Sequence, residues 1–199
     1  MAPGANASYT VTLAAFNGYN APVNLTVSGV PTGAIPTFSP NLATFTAGVS
    51  TSTITVTNLP TQPGTYTLTI TGTGTDAGAT THSTTVTLVV PPPDFSITAS
   101  PPTQSVHRGG APAVYTVTLT SLYEYNSLVN LTVSGLPAGA TATFSPSSVT
   151  PTAGGATSTL KVTTTRSTQK KTYTLTITGT GTDKAKTTHT TTVFLQVTQ

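Results

Sequence analysis

Side chains able to do acid–base or ligand chemistry are scarce in this chain, and only one pair of them recurs. The 199 residues hold four carboxylates, three histidines and seven Lys or Arg, with no cysteine. Asp76 is followed six residues later by His82, and Asp183 by His189 at the same spacing. An acid and an imidazole facing each other across a turn could exchange a proton or form two corners of a metal site. A metal centre needs further ligands, and no other carboxylate or histidine recurs. Four acids are too few for a calcium cage in each region. No Ser–His–Asp set or paired carboxylates can be assembled either. The expectation is therefore a turn aspartate that bonds local backbone beside a surface histidine. Catalytic residues, metal and cofactor are all assigned as none, and the chain is read as no enzyme.

Binding chemistry has more material. Phe16 and Tyr19 lie in one loop, and Tyr123 and Tyr125 in the matching loop of a second region. Exposed rings at a loop tip would stack on sugars. Tyr19 and Tyr125 stand at equivalent positions, each followed by Asn, which also suits a plug over the end of a fold. A third reading has Tyr123, Glu124 and Lys184 facing Asn58–Gly64 of the first region. Residues 1–93 carry one acid and no base, a net −1; residues 94–199 carry seven bases and three acids, a net +4. Lys161, Lys170, Lys171, Lys184 and Lys186 scatter over both poles without interleaved aromatics, so no nucleic-acid footprint is expected. No apolar run approaches the ~20 residues of a membrane-spanning helix. Met1 to Gly4 has neither the basic nor the apolar part of a signal peptide.

These residues must be positioned by elements, and an internal repeat sets what those elements are. Tyr9–Leu13 recurs as Tyr115–Leu119, Val23–Gly29 as Val129–Gly135, and Thr37–Pro40 as Thr143–Pro146. Thr65–Asp76 recurs without change as Thr172–Asp183. Two copies of one module follow: domain 1 over 1–90, a linker at 91–93, and domain 2 over 94–199. Within each copy the period is two. Tyr66, Leu68 and Ile70 alternate with threonines, and Val23, Leu25 and Val27 alternate with polar residues, the pattern of strands packed on one face. Threonine accounts for 51 residues, most of them on the polar side of this alternation. Ice-binding proteins carry flat rows of this kind, but a twisted sandwich presents them poorly.

Turn signals at short intervals make the expected fold an all-β pair of tandem immunoglobulin-like sandwiches. Strands B to G are expected near 8–14, 22–28, 34–38, 51–57, 65–71 and 83–90. In the second copy they fall near 114–120, 129–134, 140–144, 157–163, 172–178 and 190–197. Tyr66 and Tyr173 sit where a tyrosine corner belongs.

Leu25-Thr-Val-Ser-Gly-Val-Pro31, Phe38-Ser-Pro40 and Gly64-Thr-Tyr-Thr-Leu68 resemble the Ig-like repeats of large secreted or surface bacterial proteins, the alpha-galactosidase-associated type in particular. The resemblance covers essentially the whole chain. It implies a non-catalytic spacer, an adhesin stalk unit or an appendage of an extracellular hydrolase, located outside the cell. It also implies neighbouring Ig-like repeats of the same chain as partners, and it brings no catalytic residues with it.

The copies differ at their starts. Phe95 and Ile97 alternate as a strand A before strand B of domain 2, while domain 1 begins beyond the equivalent point and lacks its own strand A. Either a boundary falls inside a longer array, or domain 1 accepts a strand from another chain and assembles by donor-strand complementation. Self-assembly through Phe95 and Ile97 and glycan binding through the loop aromatics are the two functional alternatives to a spacer.

Overall fold

Alternating apolar and hydroxyl side chains carry the chain into sixteen strands, with no helix among the described residues. The computed structural model describes residues 5–59 and 62–199. The reading of residues 1–4 as no signal peptide, and the Pro60–Thr61 part of the proposed contact surface, lie outside them. The chain divides into two units, Met1–Pro92 and Pro93–Gln199.

The first unit contains β1 (Ala7–Ala14), β2 (Val23–Ser28), β3 (Ile35–Ser39), β4 (Leu42–Ala43), β5 (Val49–Thr57), β6 (Gly64–Gly74) and β7 (Thr81–Val90). One sheet has the order β1-β5-β3 and the other β4-β2-β6-β7. The second unit contains β8 (Asp94–Ser100), β9 (Thr103–His107), β10 (Ala113–Leu122), β11 (Val129–Ser134), β12 (Thr141–Ser145), β13 (Ser148–Val149), β14 (Ala156–Thr163), β15 (Thr172–Gly181) and β16 (Thr188–Thr198). Its sheets run β12-β14-β10-β8 and β13-β11-β15-β16-β9. In strand letters these are D-E-B-A facing C-F-G, with β13 outside C and β9 outside G, the immunoglobulin-like arrangement. The chain is thus two tandem Ig-like sandwiches, and among the described residues nothing in the first takes the place of β8.

Three strands go beyond the sequence-based assignment. The two-residue β4 and β13 pair with β2 and β11 at only two positions each, too short to register as a pattern. β9 runs parallel to β16, from Phe194↔Thr103 to Thr198↔His107. The F strands also continue through Gly72 and Gly74, and through Gly179 and Gly181, where the turn was expected to begin. Glycine marks crowding there. A methyl group on Gly72 would lie 2.9 Å from Val23 Cγ1, and one on Gly74 would lie 2.1 Å from the Tyr19 hydroxyl.

Between the sheets lie Ile54, Val56, Leu68 and Leu88 in the first unit, and Tyr115, Leu119, Leu160, Leu175, Ile177 and Leu195 in the second, all essentially inaccessible. The tyrosine corners form: Tyr66 donates to the Gln62 carbonyl at 3.1 Å, and Tyr173 to that of Gln169 at 3.0 Å. A deeper tyrosine crosses each sandwich. Tyr9 donates to Thr87 O at 3.0 Å and Tyr115 to Phe194 O at 2.9 Å. Burial raises the pKa of both, that of Tyr115 to about 12.

Candidate functional site

The repeated Asp and His do not meet across their hairpin. The aspartates take other partners instead. Asp76 accepts a hydrogen bond from Tyr19 at 2.8 Å, and Asp183 one from Tyr125 at 2.6 Å. Asp183 also accepts from the Thr187 hydroxyl at 3.0 Å and from its backbone N–H. The tyrosine bond is the main reason that both carboxyls sit below the usual carboxylate range, with backbone N–H donors adding to it and burial opposing it. The local-backbone expectation was half of the answer. The missing half was a tyrosine almost sixty residues away in sequence, which no local pattern could reveal.

His189 turns away from Asp183 and pairs with Asp94 of β8, Nε2 to Oδ1 at 2.6 Å. Phe95 lies between them and Tyr125. Its ring centroid is 4.9 Å from the His189 ring at 86° and 5.1 Å from the Tyr125 ring at 50°. Asp94, Phe95, Tyr125, Asp183 and His189 therefore form one continuous cluster, seated where β8 crosses the mouth of the sandwich. Ile97 lies one turn of the pleat deeper. A methyl group on Gly179 would be 3.3 Å from Phe95 Cε2 and 3.4 Å from Ile97 Cδ1, so the glycine makes room for both.

The first unit repeats this site without its strand. Tyr19, Asp76, Gly72 and His82 are all in place, and His82 sits opposite Gly72 in the β6–β7 register as His189 sits opposite Gly179 in β15–β16. Where Phe95 and Ile97 would stand there is an open groove of about 610 Å³. Leu13, Phe16, Tyr19, Val23, Gly72 and His82 are among its walls. Phe45 packs edge-on against Tyr19 at 5.8 Å. Val129, Leu131 and Val149 belong to a single buried cluster with the rest of the second unit, whereas their counterparts Val23, Leu25 and Ala43 reach the rest of the first core through the partly buried Leu13 and Phe38.

The loop aromatics fall into two kinds. Tyr125 is 3% exposed and presents no open face, while Tyr19 is half-buried. Phe16 is 78% exposed at the groove rim and Tyr123 38% exposed at the opposite unit's loop tip. The lysines and arginines are exposed on strands and loops alike. Among the described residues there is no group of three or more His, Cys, Asp or Glu able to hold a metal ion.

No family model matches the chain, and no curated protein does. Solved structures resemble the chain only at low similarity. The chain is similar to the "D00-D0 domain of Intimin", with 14% identity over 93% of this chain and 92% of that one, at a TM-score of 0.40. It is also similar to "BspA_C_WT", with 7% identity over 98% and 94% and a TM-score of 0.35. A third structure, protocadherin gammaB7 EC3-6, has 16% identity over all of this chain and 44% of its own, at a TM-score of 0.41. Likeness at this level carries neither fold nor activity over to this chain.

Proposed function

We propose that the chain is a non-catalytic structural tandem, a spacer of a secreted or cell-surface protein of the adhesin-stalk or enzyme-appended kind. The parallel pairing of β9 with β16 carries this reading. β9 lies near the N-terminal end of the second unit and β16 at its C-terminal end. Tension applied to the two ends therefore pulls these parallel strands past one another. Their hydrogen bonds are loaded together, in shear, rather than opened one by one. Side chains reinforce the ladder. Ser105 donates to Gln196 at 2.7 Å, Thr198 donates to the Val106 carbonyl at 3.1 Å, and His107 Nδ1 meets the Gln199 carbonyl.

Several polar groups that repeat between the copies support the same reading, because they hold strands together. Besides the tyrosines, Ser52 donates to Pro40 O and Ser158 to Pro146 O, both at 2.6 Å.

The test is single-molecule stretching through the chain ends, with Val106→Pro as the variant. The Arg108 N–H donates to Thr198 O at 3.4 Å, and alternate residues of β9 face β16, which places the Val106 N–H in the ladder. Proline removes that donor. The second unit should then unfold at clearly lower force while its circular dichroism stays that of a β-sandwich. An unchanged unfolding force in a folded variant would refute the spacer reading.

A further inference from the structure

We propose that Arg108, Arg166, Lys170 and Lys171, gathered at one end of the second unit, form a binding surface for a carboxylated polysaccharide. The surface goes beyond the spacer reading and does not depend on it.

The four bases come from two loops far apart in sequence, and hydrogen bonds tie those loops together. The Arg108 N–H donates to Thr198 O at 3.4 Å and the Val197 N–H to Lys171 O at 3.0 Å, so both loops are anchored at the end of β16. The buried Thr164 hydroxyl joins them directly. It accepts from the Gly109 N–H and donates to the His107 carbonyl, each at 3.3 Å. A methyl group on Gly109 would lie 2.9 Å from Arg166 Cγ, so the stem of Arg166 rests against the glycine next to Arg108. The buried Thr168 fixes the turn that carries Arg166. Its hydroxyl accepts from the Thr165 N–H at 3.0 Å, and its own N–H donates to Thr165 O at 3.1 Å. All four basic residues are exposed.

No acid of the second unit stands beside them. Asp94, Glu124 and Asp183 all lie at its other end: Asp94 pairs with Leu122 just before Glu124, and Asp183 follows Gly181, which pairs with Val129 at the start of β11. Among the described residues the one ion pair is His189 with Asp94, so no Lys or Arg is neutralised. Nor does the fold call for these bases. Lys170 and Lys171 stand where the first unit has Pro63 and Gly64, and the tyrosine corner forms in both. Clustered bases without acids attract an anionic partner, and an arginine fork matches the two oxygens of a carboxylate. The rest of the two loops narrows the class. Residues 108–112 and 164–171 include no aromatic ring to stack on a nucleic-acid base and no large apolar side chain to enter a bilayer. They do include Thr165, Ser167 and Gln169, exposed hydrogen-bonding groups that suit the hydroxyls of a sugar chain.

The experiment titrates oligogalacturonate, a carboxylated polysaccharide, into the intact 199-residue chain at about 0.15 M salt. Binding is followed by calorimetry and by amide NMR. Saturable binding is expected, with shifts confined to residues 107–110 and 164–171 and an affinity that falls as salt rises. The double variant Arg108→Gln with Arg166→Gln keeps both side-chain stems, and it should bind at least about tenfold more weakly. Lys184→Gln with Lys186→Gln changes the net charge equally at the other end of the unit, and it should leave binding unchanged. No binding, shifts elsewhere, or equal loss in the two double variants would overturn the proposal. So would tighter binding of polyglutamate or of an oligonucleotide of matched charge, which would give the surface to an acidic protein or to nucleic acid.

Discussion

The phenol of Tyr125 donates to Asp183 at 2.6 Å while its ring is covered by Phe95, and the two ionisable groups move in opposite directions. Burial first, and then the hydrogen bond to Asp183, push the tyrosine upward. The same bond, with help from Thr187, holds the carboxyl below its ordinary value. A lowered carboxyl contributes stability that is present above the unfolded value near 4 and is lost as the pH falls through the folded one. A raised phenol contributes stability that is present below about 10 and is lost as the pH rises past it. The second unit should therefore melt at lower temperature both below pH 4 and above pH 10 than at pH 7. Tyr125→Phe should cost about 1–2 kcal/mol at pH 7, the range for a hydrogen bond to a charged acceptor that solvent partly reaches. It should also reduce the alkaline limb, leaving the part that the buried Tyr115 contributes. Thermal melts of the variant at three pH values would show both effects. A variant that kept the whole of the alkaline loss would remove Tyr125 as a source of it.

At the scale of elements, the loop joining strands B and C shows how the copies solve one turn with different residues. Asn17 and Gly18 have φ of 53° and 76°, and Tyr19 N–H closes the turn on Phe16 O at 3.0 Å. Tyr123 and Glu124 occupy the same places with φ of 51° and 61°, and Tyr125 N–H bonds Leu122 O at 3.1 Å. Two successive left-handed residues define the turn for which Asn-Gly is favoured. Side chains such as Tyr and Glu pay roughly 1–2 kcal/mol each in that region. Replacing Tyr123-Glu124 with Asn-Gly should therefore stabilise the second unit by about 1–2 kcal/mol, read from chemical denaturation. An unchanged midpoint would mean that the Tyr123 side chain returns what its backbone loses. Sequence signals located these loops and their aromatics, because turn chemistry is local. They did not separate plug from exposed ring, because Tyr19 and Tyr125 are fixed by aspartates on a distant hairpin.

Across the molecule, two copies of one module differ in how their cores are covered. The second closes its core with Phe95 and Ile97, and the first leaves Leu13, Tyr19 and Val86 part-exposed beside the groove. The first should be the weaker unit. Native-state amide exchange should show β1 and β2 opening at lower free energy than β10 and β11, and equal protection would argue against a gap in the first core. The sequence by itself determined the all-β class, the two-fold repeat and most strand positions, since period-two alternation and turn residues act over a few neighbours. It also marked Phe95 and Ile97 as a strand without a counterpart. Only the tertiary structure decided where Asp76, Asp183 and His189 point, which strand runs parallel to β16, and that a shaped groove in the first unit lies where the second holds Phe95 and Ile97. Those features depend on contacts between residues far apart in the chain, and such contacts exist only once the sheets have packed.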